Sequence, residues 1–437
     1  MEKNIKIENH LVPQPVTGGL KSHFFGYYDK CPWDDSESRI LGLETDSFDR
    51  LPNKDDLAVL GLSDLKNNRP FVGFSETRAW NWQQGSMLQW LAPDNNRHVI
   101  FNDRQADRFV SVIFDLETRE KKILPLPVYS VSANGRYAVT LNFSRIFNLR
   151  DAYGYAGVPD PGEKENVPEK DGVFLLDLKT GDQRLIISLR QLFEYKHISS
   201  MDGGHHWVDH LMFNSDGSRF CFLHRWELAD GGLYMRLFSA NFDGTGLHCL
   251  LDSGNFSHFG WRNSQELLGW GRLPNQLNRI RKNRWLTKNI LKPALPIYHF
   301  FVPDKSQFRR KIVNDFYLLF TDQSDNIKKI SPDLLSEDGH CSWSPDGKWI
   351  LTDTYPDENH FRTLILYDFE NDRRFDIGRF YALPKGQEPN SGWDESGMRC
   401  DLHPRWNRQG NKICIDSVHE GSRQMYVLDV AEIINKK

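Results

Sequence analysis

The stretch "GHCSWSPDGKWILTDTYPD", residues 339–357, contains the clearest copy of a unit that recurs along this chain. Its Ser-Pro-Asp-Gly segment at positions 344–347 is typical of a tight turn, because proline presets the backbone of the turn and glycine accepts a positive φ. Apolar residues precede this turn, and a run of strand length follows it. The stretch therefore predicts a β-hairpin.

The same unit recurs along the chain. The other copies are "PWDDSESRILGLE", "WLAPDNNRHVIFND", "SVSANGRYAVTLNF", "MFNSDGSRFCFLHRW", "GWRNSQELLGWG" and "RWNRQGNKICIDSV". A unit of about 40 residues with four short strands is typical of a propeller blade. We therefore predict an all-β, seven-bladed β-propeller that spans residues 1–437 as a single domain. The fixed phase of the turns argues against a pair of β-sandwiches.

Two insertions interrupt the repeat. Residues 145–170 form a loop rich in glycine and proline, and residues 272–312 are strongly basic. From Arg272 to Lys292 there are seven Lys or Arg residues and no acidic residue, and the segment has the composition of a short amphipathic helix. Three interpretations of the second insertion stay open: a solvated excursion, a lid over an acidic glycan, or a contact with a membrane surface.

The composition narrows the classes of function. The formal net charge is −4, from 55 basic and 59 acidic residues, so the global charge predicts no nucleic-acid partner. No apolar run reaches the length of a membrane span, and the first residues lack the apolar core of a signal peptide. These features lead us to expect a cytoplasmic protein.

A histidine stands four residues before the turn in four consecutive blades. These histidines are His210, His258, His340 and His403, and the other three blades have Lys30, Leu88 and Val128 at the same count. Because equivalent residues on inner strands surround the central channel of a propeller, we expect the imidazoles to converge at one mouth. The pattern predicts a metal site or an acid–base cluster, with the neighbouring Asp401 as a further ligand. The alternative is that each histidine only braces its own blade.

Charged and aromatic residues surround this ring in the sequence. Arg104, Arg145, His224 and Arg225 lie near the ends of second strands, and His205, His206 and Trp207 lie before blade four. Since arginine binds carboxylates and sulfates in a bidentate manner, a funnel lined in this way predicts an acidic oligosaccharide or polysaccharide as the partner. The stretches "HFFGYYDKCPW" and "WNWQQGSMLQW" are either sugar-stacking platforms or packing between blades.

Several stretches resemble those of propeller polysaccharide lyases. "DGHCSWSPDGKWILTDTYPD" and "DLHPRWNRQGNKICIDSVHEGSRQMYVLDV" resemble the last blades of oligogalacturonate lyases, and "HFFGYYDKCPW", "MLQWL…VIFNDR" and "NFSRIFNLRDAYGY" resemble the ulvan-lyase group. The resemblance implies cleavage of uronate-containing glycans by β-elimination. That chemistry needs a group that neutralises the uronate carboxylate, a base that removes the C5 proton and an acid for the leaving oxygen.

The resemblance also implies roles for individual residues. In the pectin-type members, histidines hold a divalent metal, which makes His340, His403, His258 and Asp401 candidate ligands of Mn, Ca or Zn. Asp401 replaces the first histidine of the family's His-Pro-His-Pro segment. The histidine expected within "NFSRIFNLRDAYGY" is absent, so the role of the base falls to His210 or His206. The catalytic candidates are His210, Arg225, His206, Tyr28 and Arg145, and the substrate-binding candidates are Arg104, His205, Trp207, His224, Arg150 and Tyr155.

We therefore expect a lyase that acts on uronate-containing glycans. Two alternatives stay open. One is another enzyme of surface-polysaccharide assembly, such as a glycosyltransferase or a hydrolase, which the basic insertion favours because a lipid-linked glycan would be met at a membrane. The other is a propeller that binds a glycan without catalysis.

Overall fold

The computed structural model describes residues 5–46, 50–67, 69–294, 315–382 and 399–435. Seven sheets, antiparallel except for one added parallel strand in blade 6, form a seven-bladed β-propeller, as predicted. The N-terminal strands are β1 (Ile5–Glu8) and β2 (Gln14–Pro15), and blade 1 contains β3 (Ser22–Phe24), β4 (Arg39–Thr45), β5 (Ala58–Asp64) and β6 (Arg69–Thr77). Blade 2 contains β7 (Gln89–Trp90), β8 (His98–Gln105), β9 (Arg108–Asp115) and β10 (Lys121–Leu124), and blade 3 contains β11 (Ser130–Val131), β12 (Tyr137–Thr140), β13 (Gly172–Asp177) and β14 (Gln183–Ser188).

The remaining blades follow the same order from the innermost to the outermost strand. Blade 4 contains β15 (His206–Phe213), β16 (Arg219–Glu227), β17 (Leu233–Asn241) and β18 (His248–Leu251), and blade 5 contains β19 (Phe256–Trp261), β20 (Glu266–Arg272), β21 (Asp315–Thr321) and β22 (Ile327–Lys329). Blade 6 contains β23 (Ser342–Trp343), β24 (Trp349–Asp353), β25 (Phe361–Asp368) and β26 (Arg373–Tyr381), and blade 7 contains β27 (Arg405–Trp406), β28 (Lys412–Ser417) and β29 (Gln424–Asp429).

The N-terminal segment closes the ring. Strand β2 pairs antiparallel with β29 and supplies the outer strand of blade 7, while β1 pairs parallel with β26 and adds a fifth strand to blade 6. Pairing with these outer strands occupies hydrogen-bonding groups that would otherwise form open sheet edges. The first and last parts of the described chain are thus held in the same pair of blades.

The recurrent turn owes its shape to its side chains. In blade 6 the hydroxyl of Ser344 donates to Asp346 at 2.6 Å and accepts the backbone N–H of Trp349 at 3.0 Å. Gly347 has a φ of +69°, a left-handed conformation in which glycine is favoured. Asn214 and Asn407 stand in the place of Ser344 in blades 4 and 7 and accept backbone N–H groups in the same way.

Aromatic residues fill the seams between the blades. Trp80 and Trp82 pack edge to face with ring centroids 5.1 Å apart, and their side chains are 2% and 1% exposed. Trp33 is fully buried in the same cluster. Of the two interpretations of these aromatic stretches, the structure supports packing for these three tryptophans.

Short helices lie in the connections between strands. They are α1 (Phe143–Leu149), α2 (Leu189–Glu194), α3 (Gln276–Arg281), α4 (Arg284–Leu286) and α5 (Ala431–Ile434), with single turns of tighter or wider helix at Asp151–Tyr153, Ser199–Met201 and Thr287–Leu291. The basic insertion is helical in its described part, and its residues 295–312 lie outside the described residues. Among the described helices none is long and apolar enough to cross a membrane.

Candidate active site

The four histidines of the repeat converge on the central channel. The ring centroids of His258 and His340 lie 4.1 Å apart, and those of His340 and His403 lie 4.3 Å apart. His210 joins them through Tyr27, whose ring lies 5.4 Å from His210 and 5.2 Å from His403. The structure thus brings residues from blades 4, 5, 6 and 7 into one cluster.

The strand register corrects one position of this ring. Trp90 pairs with Val99 in blade 2 as Trp343 pairs with Ile350 in blade 6. Three residues before each tryptophan stand Met87 in blade 2 and His340 in blade 6. Met87, not Leu88, is therefore the blade 2 equivalent. The connection from Trp90 to Val99 is two residues longer than that from Trp343 to Ile350, so a count from the apparent turn starts one residue too late.

Backbone conformation singles out two of the histidines. His210 and His403 have φ values of +53° and +41°, which are uncommon for residues other than glycine. Such conformations persist where the surrounding structure determines them, and they often occur at functional sites. Asparagine tolerates this conformation, so it is the substitution that removes the imidazole with the least disturbance of the backbone.

Two tyrosines from blade 1 enter the channel beside the ring. Tyr28 spans to blade 5, where its hydroxyl donates to the carbonyl of Phe259 at 3.0 Å and accepts the N–H of Phe259 at 2.8 Å. The Tyr27 hydroxyl is buried and has no hydrogen-bond partner among the described residues. Burial raises the pKa of both tyrosines well above the usual value, so both hydroxyls stay protonated. Of these two hydroxyl groups, that of Tyr27 is therefore the one whose proton is available for donation.

His340, Asp401 and His403 form a potential metal site. Their ligand atoms all lie within 4.8 Å of one another, and all three residues are buried. Nδ1 of His340 donates to Asp353 at 2.8 Å, which leaves Nε2 facing the carboxylate of Asp401 at 3.9 Å. A carboxylate that holds one ring nitrogen in this way is the usual arrangement around metal-binding histidines.

The donor atoms fit a divalent transition metal. Within the described part of the chain, Nε2 of His403 is buried without a hydrogen-bond partner, which is costly unless a ligand occupies it. His258, held through Nδ1 by Asp338 at 3.2 Å, lies beside His340 as a further nitrogen donor. Imidazole and carboxylate together suit manganese or zinc, whereas calcium prefers oxygen ligands alone. Of the three expected metals, calcium fits these residues least.

Two arginines enclose the carboxylate of Asp401. Arg362 donates to one of its oxygens at 2.7 Å and Arg399 donates to the other at 2.8 Å. Burial alone would raise the pKa of Asp401, but the charges of Arg399 and Arg362 hold it well below its usual value. Arg399 also lies 5.7 Å from the ring of Tyr355 and donates to the hydroxyl of Tyr153 at 3.5 Å.

A second charged cluster surrounds Asp209 in blade 4. Arg150 donates to its carboxylate at 2.8 Å, and Arg225 lies 3.2 Å away. Nδ1 of His210 is 2.5 Å from the other oxygen, at an angle unsuited to a hydrogen bond. Burial lowers the pKa of His210 to about 4 against the opposing charge of Asp209, and burial lowers the pKa of Arg225 to about 10. His210 is therefore a neutral base at pH 7.

Tyr153 connects the two clusters. Its ring lies under the guanidinium of Arg150 at 3.8 Å and 5.6 Å from the ring of His210, while its hydroxyl faces Arg399. A guanidinium from each cluster therefore contacts Tyr153, that of Arg150 at the ring and that of Arg399 at the hydroxyl. This geometry places arginine side chains suited to an anion next to a neutral imidazole and a set of metal ligands.

Several predicted residues lie away from this site, inside blade 4. Nδ1 of His206 contacts Nε2 of His224 at 2.9 Å, and His206 stacks on Trp226 with the rings 13° from parallel. Burial lowers the pKa of His206 to about 4 and that of His224 well below its usual value. Since both histidines are fully buried, the structure gives them a place in the packing of blade 4.

Four other substrate-binding candidates have their described contacts outside the histidine ring. Trp207 is 1% exposed, and Tyr155 is fully buried, stacked on Phe143 at 4.3 Å. Arg104 lies against Gly157 in the first insertion. The described contacts of His205 comprise a backbone hydrogen bond, in which its carbonyl accepts the N–H of Glu227.

Arg145 organises the first insertion. Its guanidinium donates to the carbonyl of His206 at 2.6 Å, to Asp160 at 3.2 Å and to three further backbone carbonyls, those of Gly162, Glu165 and Asn166. These bonds use all five of its N–H groups, and the side chain is 2% exposed. Arg145 therefore has no N–H group left for a substrate.

The sequence did not reveal five of the residues that complete the site. They are Tyr153, Asp209, Tyr355, Arg362 and Arg399. One signal was present in the alternation Arg399-Cys400-Asp401-Leu402-His403, which puts three polar side chains on one face of an extended segment. Asp209 stands directly before His210. Arg362 lies on the third strand of blade 6, and no motif marks it.

Comparisons with known proteins address the fold. No family model matches this chain, and no curated protein matches it. Among solved structures, an oligogalacturonate lyase in complex with manganese has a TM-score of 0.61 and 16% identity, over 98% of each chain. Oligogalacturonate lyase from Vibrio parahaemolyticus has a TM-score of 0.60 and 12% identity, over 97% of this chain and 94% of that one. The β-propeller domain of the Trilobed protease from Pyrococcus furiosus, at 9% identity, has a TM-score of 0.49 over 94% of this chain and 95% of that chain. At these identities the likeness shows the shared fold alone.

Proposed function

We propose that this protein is a lyase that cleaves uronate-containing oligosaccharides by β-elimination. The observation that carries the proposal is the cluster of His340, Asp401 and His403 beside arginines and a neutral imidazole at the centre of the propeller. The shared fold with two oligogalacturonate lyases, one of them in complex with manganese, supports it.

The basic side chains would bind the anionic sugar. Arg150 and Arg399 keep 28% and 12% of their side-chain surface exposed, although each is paired with a carboxylate. Their outer N–H groups are suited to a uronate carboxylate, which a guanidinium binds in a bidentate manner. His340, Asp401 and His403, with His258 beside them, would hold a divalent cation, which would supply positive charge that acidifies the proton next to a carboxylate.

His210 is the residue best suited to remove that proton. Its pKa of about 4 keeps it neutral. A carboxylate oxygen of Asp209 lies 2.5 Å from Nδ1, and this negative charge favours the proton on Nδ1 and the free lone pair on Nε2, which would then accept the substrate proton. Tyr27 lies between His210 and His403 with a protonated hydroxyl that none of the described residues hydrogen-bonds. It is therefore the candidate for giving a proton to the departing oxygen, in place of Tyr28, whose hydroxyl already has two partners.

The test follows the ultraviolet absorbance of the unsaturated uronate that β-elimination forms. Polygalacturonate, ulvan and other uronate polymers are incubated with the purified protein, with manganese, with zinc and with a chelator. His210→Asn should lower the rate by about 100-fold or more, because a general base typically contributes that much. His360→Asn is the matched control, since His360 is exposed and also has a positive φ, of 63°.

Absence of product from every polymer under every metal condition would contradict the proposal. An equal loss of rate in His210→Asn and His360→Asn would contradict the role of His210. Product formation that is unchanged by a chelator and by His403→Asn would contradict the role of the metal ligands.

Burial of the ring favours a second candidate function. His210, His258, His340 and His403 are between 2% and 6% exposed, so a substrate would meet the arginines before the imidazoles. A propeller that binds an acidic glycan through Arg150 and Arg399 without cleaving it needs no access to the ring. Calorimetric binding of galacturonate oligomers with no absorbance change over long incubation would favour this second candidate.

A further inference from the structure

The described part of the basic insertion forms an exposed ledge on blade 5. We use this name for residues 276–294, which contain α3, α4 and the helical turn Thr287–Leu291. Ile280, Trp285 and Ile290 are 37%, 64% and 51% exposed, and they are three of the nine large apolar side chains exposed in the described part of the chain. Exposed apolar residues that cluster in one short segment mark an interaction surface.

The charge on the ledge has one sign. Arg279, Lys288 and Lys292 are exposed, and no acidic residue occurs from Arg272 to Lys292. Because the whole chain carries a net charge of −4, the remainder of the protein is acidic and the ledge stands out as a local positive patch. An anionic surface is the complementary partner.

Contacts on the inner side hold the ledge against blades 4 and 5. The side-chain amide of Asn278 donates to the carbonyl of Ser253, and Nζ of Lys282 contacts Asp252 at 2.9 Å. Thr287 is fully buried. The inner side chains are thus committed to the propeller, which leaves Ile280, Trp285 and the exposed basic residues free to face outward.

We propose that the ledge binds the surface of an anionic lipid bilayer. Tryptophan and isoleucine side chains gain by inserting among lipid headgroups and acyl chains, while lysine and arginine bind anionic headgroups. A nucleic acid would use the charge and stack on Trp285, but it offers nothing to Ile280 and Ile290. The combination of aliphatic, aromatic and basic side chains therefore favours the membrane.

The position of the ledge determines which face of the propeller a bound membrane would cover. The ledge follows the end of β20, where Gly271 pairs with Phe256 at the start of β19, two residues before His258. A bilayer bound there would lie at the same face of the propeller as the histidine ring. The membrane contact stands independently of the proposed lyase activity, since it uses none of the residues of the candidate active site.

The test is sedimentation of the full chain with vesicles. One set contains phosphatidylcholine alone, and the other contains equal parts of phosphatidylcholine and phosphatidylglycerol. We expect binding to the anionic vesicles that salt weakens, and no binding to the neutral ones. Arg279→Glu with Lys288→Glu should weaken binding at least about tenfold, since each basic residue at an anionic surface contributes about fivefold. Trp285→Ser with Ile290→Ser should also weaken it.

Matched controls use equally exposed residues on other blades. Lys66→Glu with Lys179→Glu makes the same change in charge, and Val72→Ser with Ile123→Ser removes apolar side chains that are 57% and 47% exposed. Each control pair should leave binding within about twofold of the unaltered protein. Equal binding to both vesicle types, equal effects of ledge and control variants, or binding of RNA without binding of vesicles would overturn the proposal.

Discussion

Acidification should destabilise this protein through the titration of its buried imidazoles. Burial lowers the pKa of His210 to about 4 from the usual 6.5. Between these two values the unfolded chain takes up a proton that the folded chain does not. The contribution of His210 is therefore fully present above pH 6.5 and is lost progressively as the pH falls toward 4.

The magnitude follows from the two pKa values. Their difference corresponds to about 3 kcal/mol for His210, and His206, whose pKa is also lowered to about 4 by burial, adds a similar amount. Between pH 4 and pH 6.5, each of these two histidines should change the free energy of unfolding by up to about 1.4 kcal/mol per pH unit. The assay is urea unfolding at a series of pH values, with fluorescence as the readout.

Variants separate the individual contributions. His206→Asn and His210→Asn should each make the dependence of stability on pH shallower, because each removes one titrating group. His360→Asn, at an exposed position, should leave the dependence unchanged. If the free energy of unfolding stays constant from pH 6.5 to pH 4, or rises on acidification, the pKa values of His206 and His210 are not lowered in the folded protein. NMR titration of the imidazole signals measures the same pKa values directly.

Two further predictions concern buried charges. Asp401→Asn should lower the free energy of unfolding by about 3 kcal/mol or more, because it removes a buried carboxylate charge that both Arg362 and Arg399 contact, and an unchanged urea midpoint would contradict this. Arg145→Met should open the first insertion to limited proteolysis, because five hydrogen bonds are lost and Asp160 keeps an uncompensated charge. Arg136→Met, which removes an exposed ion pair with Asp177, should cost less than about 1 kcal/mol and leave the insertion resistant. Equal resistance of both variants would speak against the role of Arg145.

The repeat could be read from the sequence because each blade contains its own turn chemistry. The hydroxyl of Ser344 and the positive φ of Gly347 act within a few residues, so the quoted stretch was sufficient to predict a hairpin. Counting four residues back from the start of each turn then placed His340 and His403 correctly in the histidine ring. It failed at Leu88, because blade 2 has a longer turn and the count shifts by one to Met87.

The partners of the histidines could not be read in this way. Arg362 lies 39 residues before Asp401 in the sequence and reaches it only because blades 6 and 7 are adjacent. His206 and His224 looked equivalent to the ring histidines in chemistry, but the side on which a strand residue projects decides whether it enters the channel or the packing of the blade. That side depends on the bulge after Asp209, which interrupts the register of the strand pair.

The proposed function requires that His340, Asp401 and His403 hold a divalent cation at the centre of the propeller. Isothermal titration of the metal-free protein with manganese and with zinc measures this directly. The geometry predicts one site per chain, with binding weakened at least about tenfold in His403→Asn and unchanged in His360→Asn. Absence of binding by the unaltered protein, or equal affinity in His403→Asn, would contradict the claim.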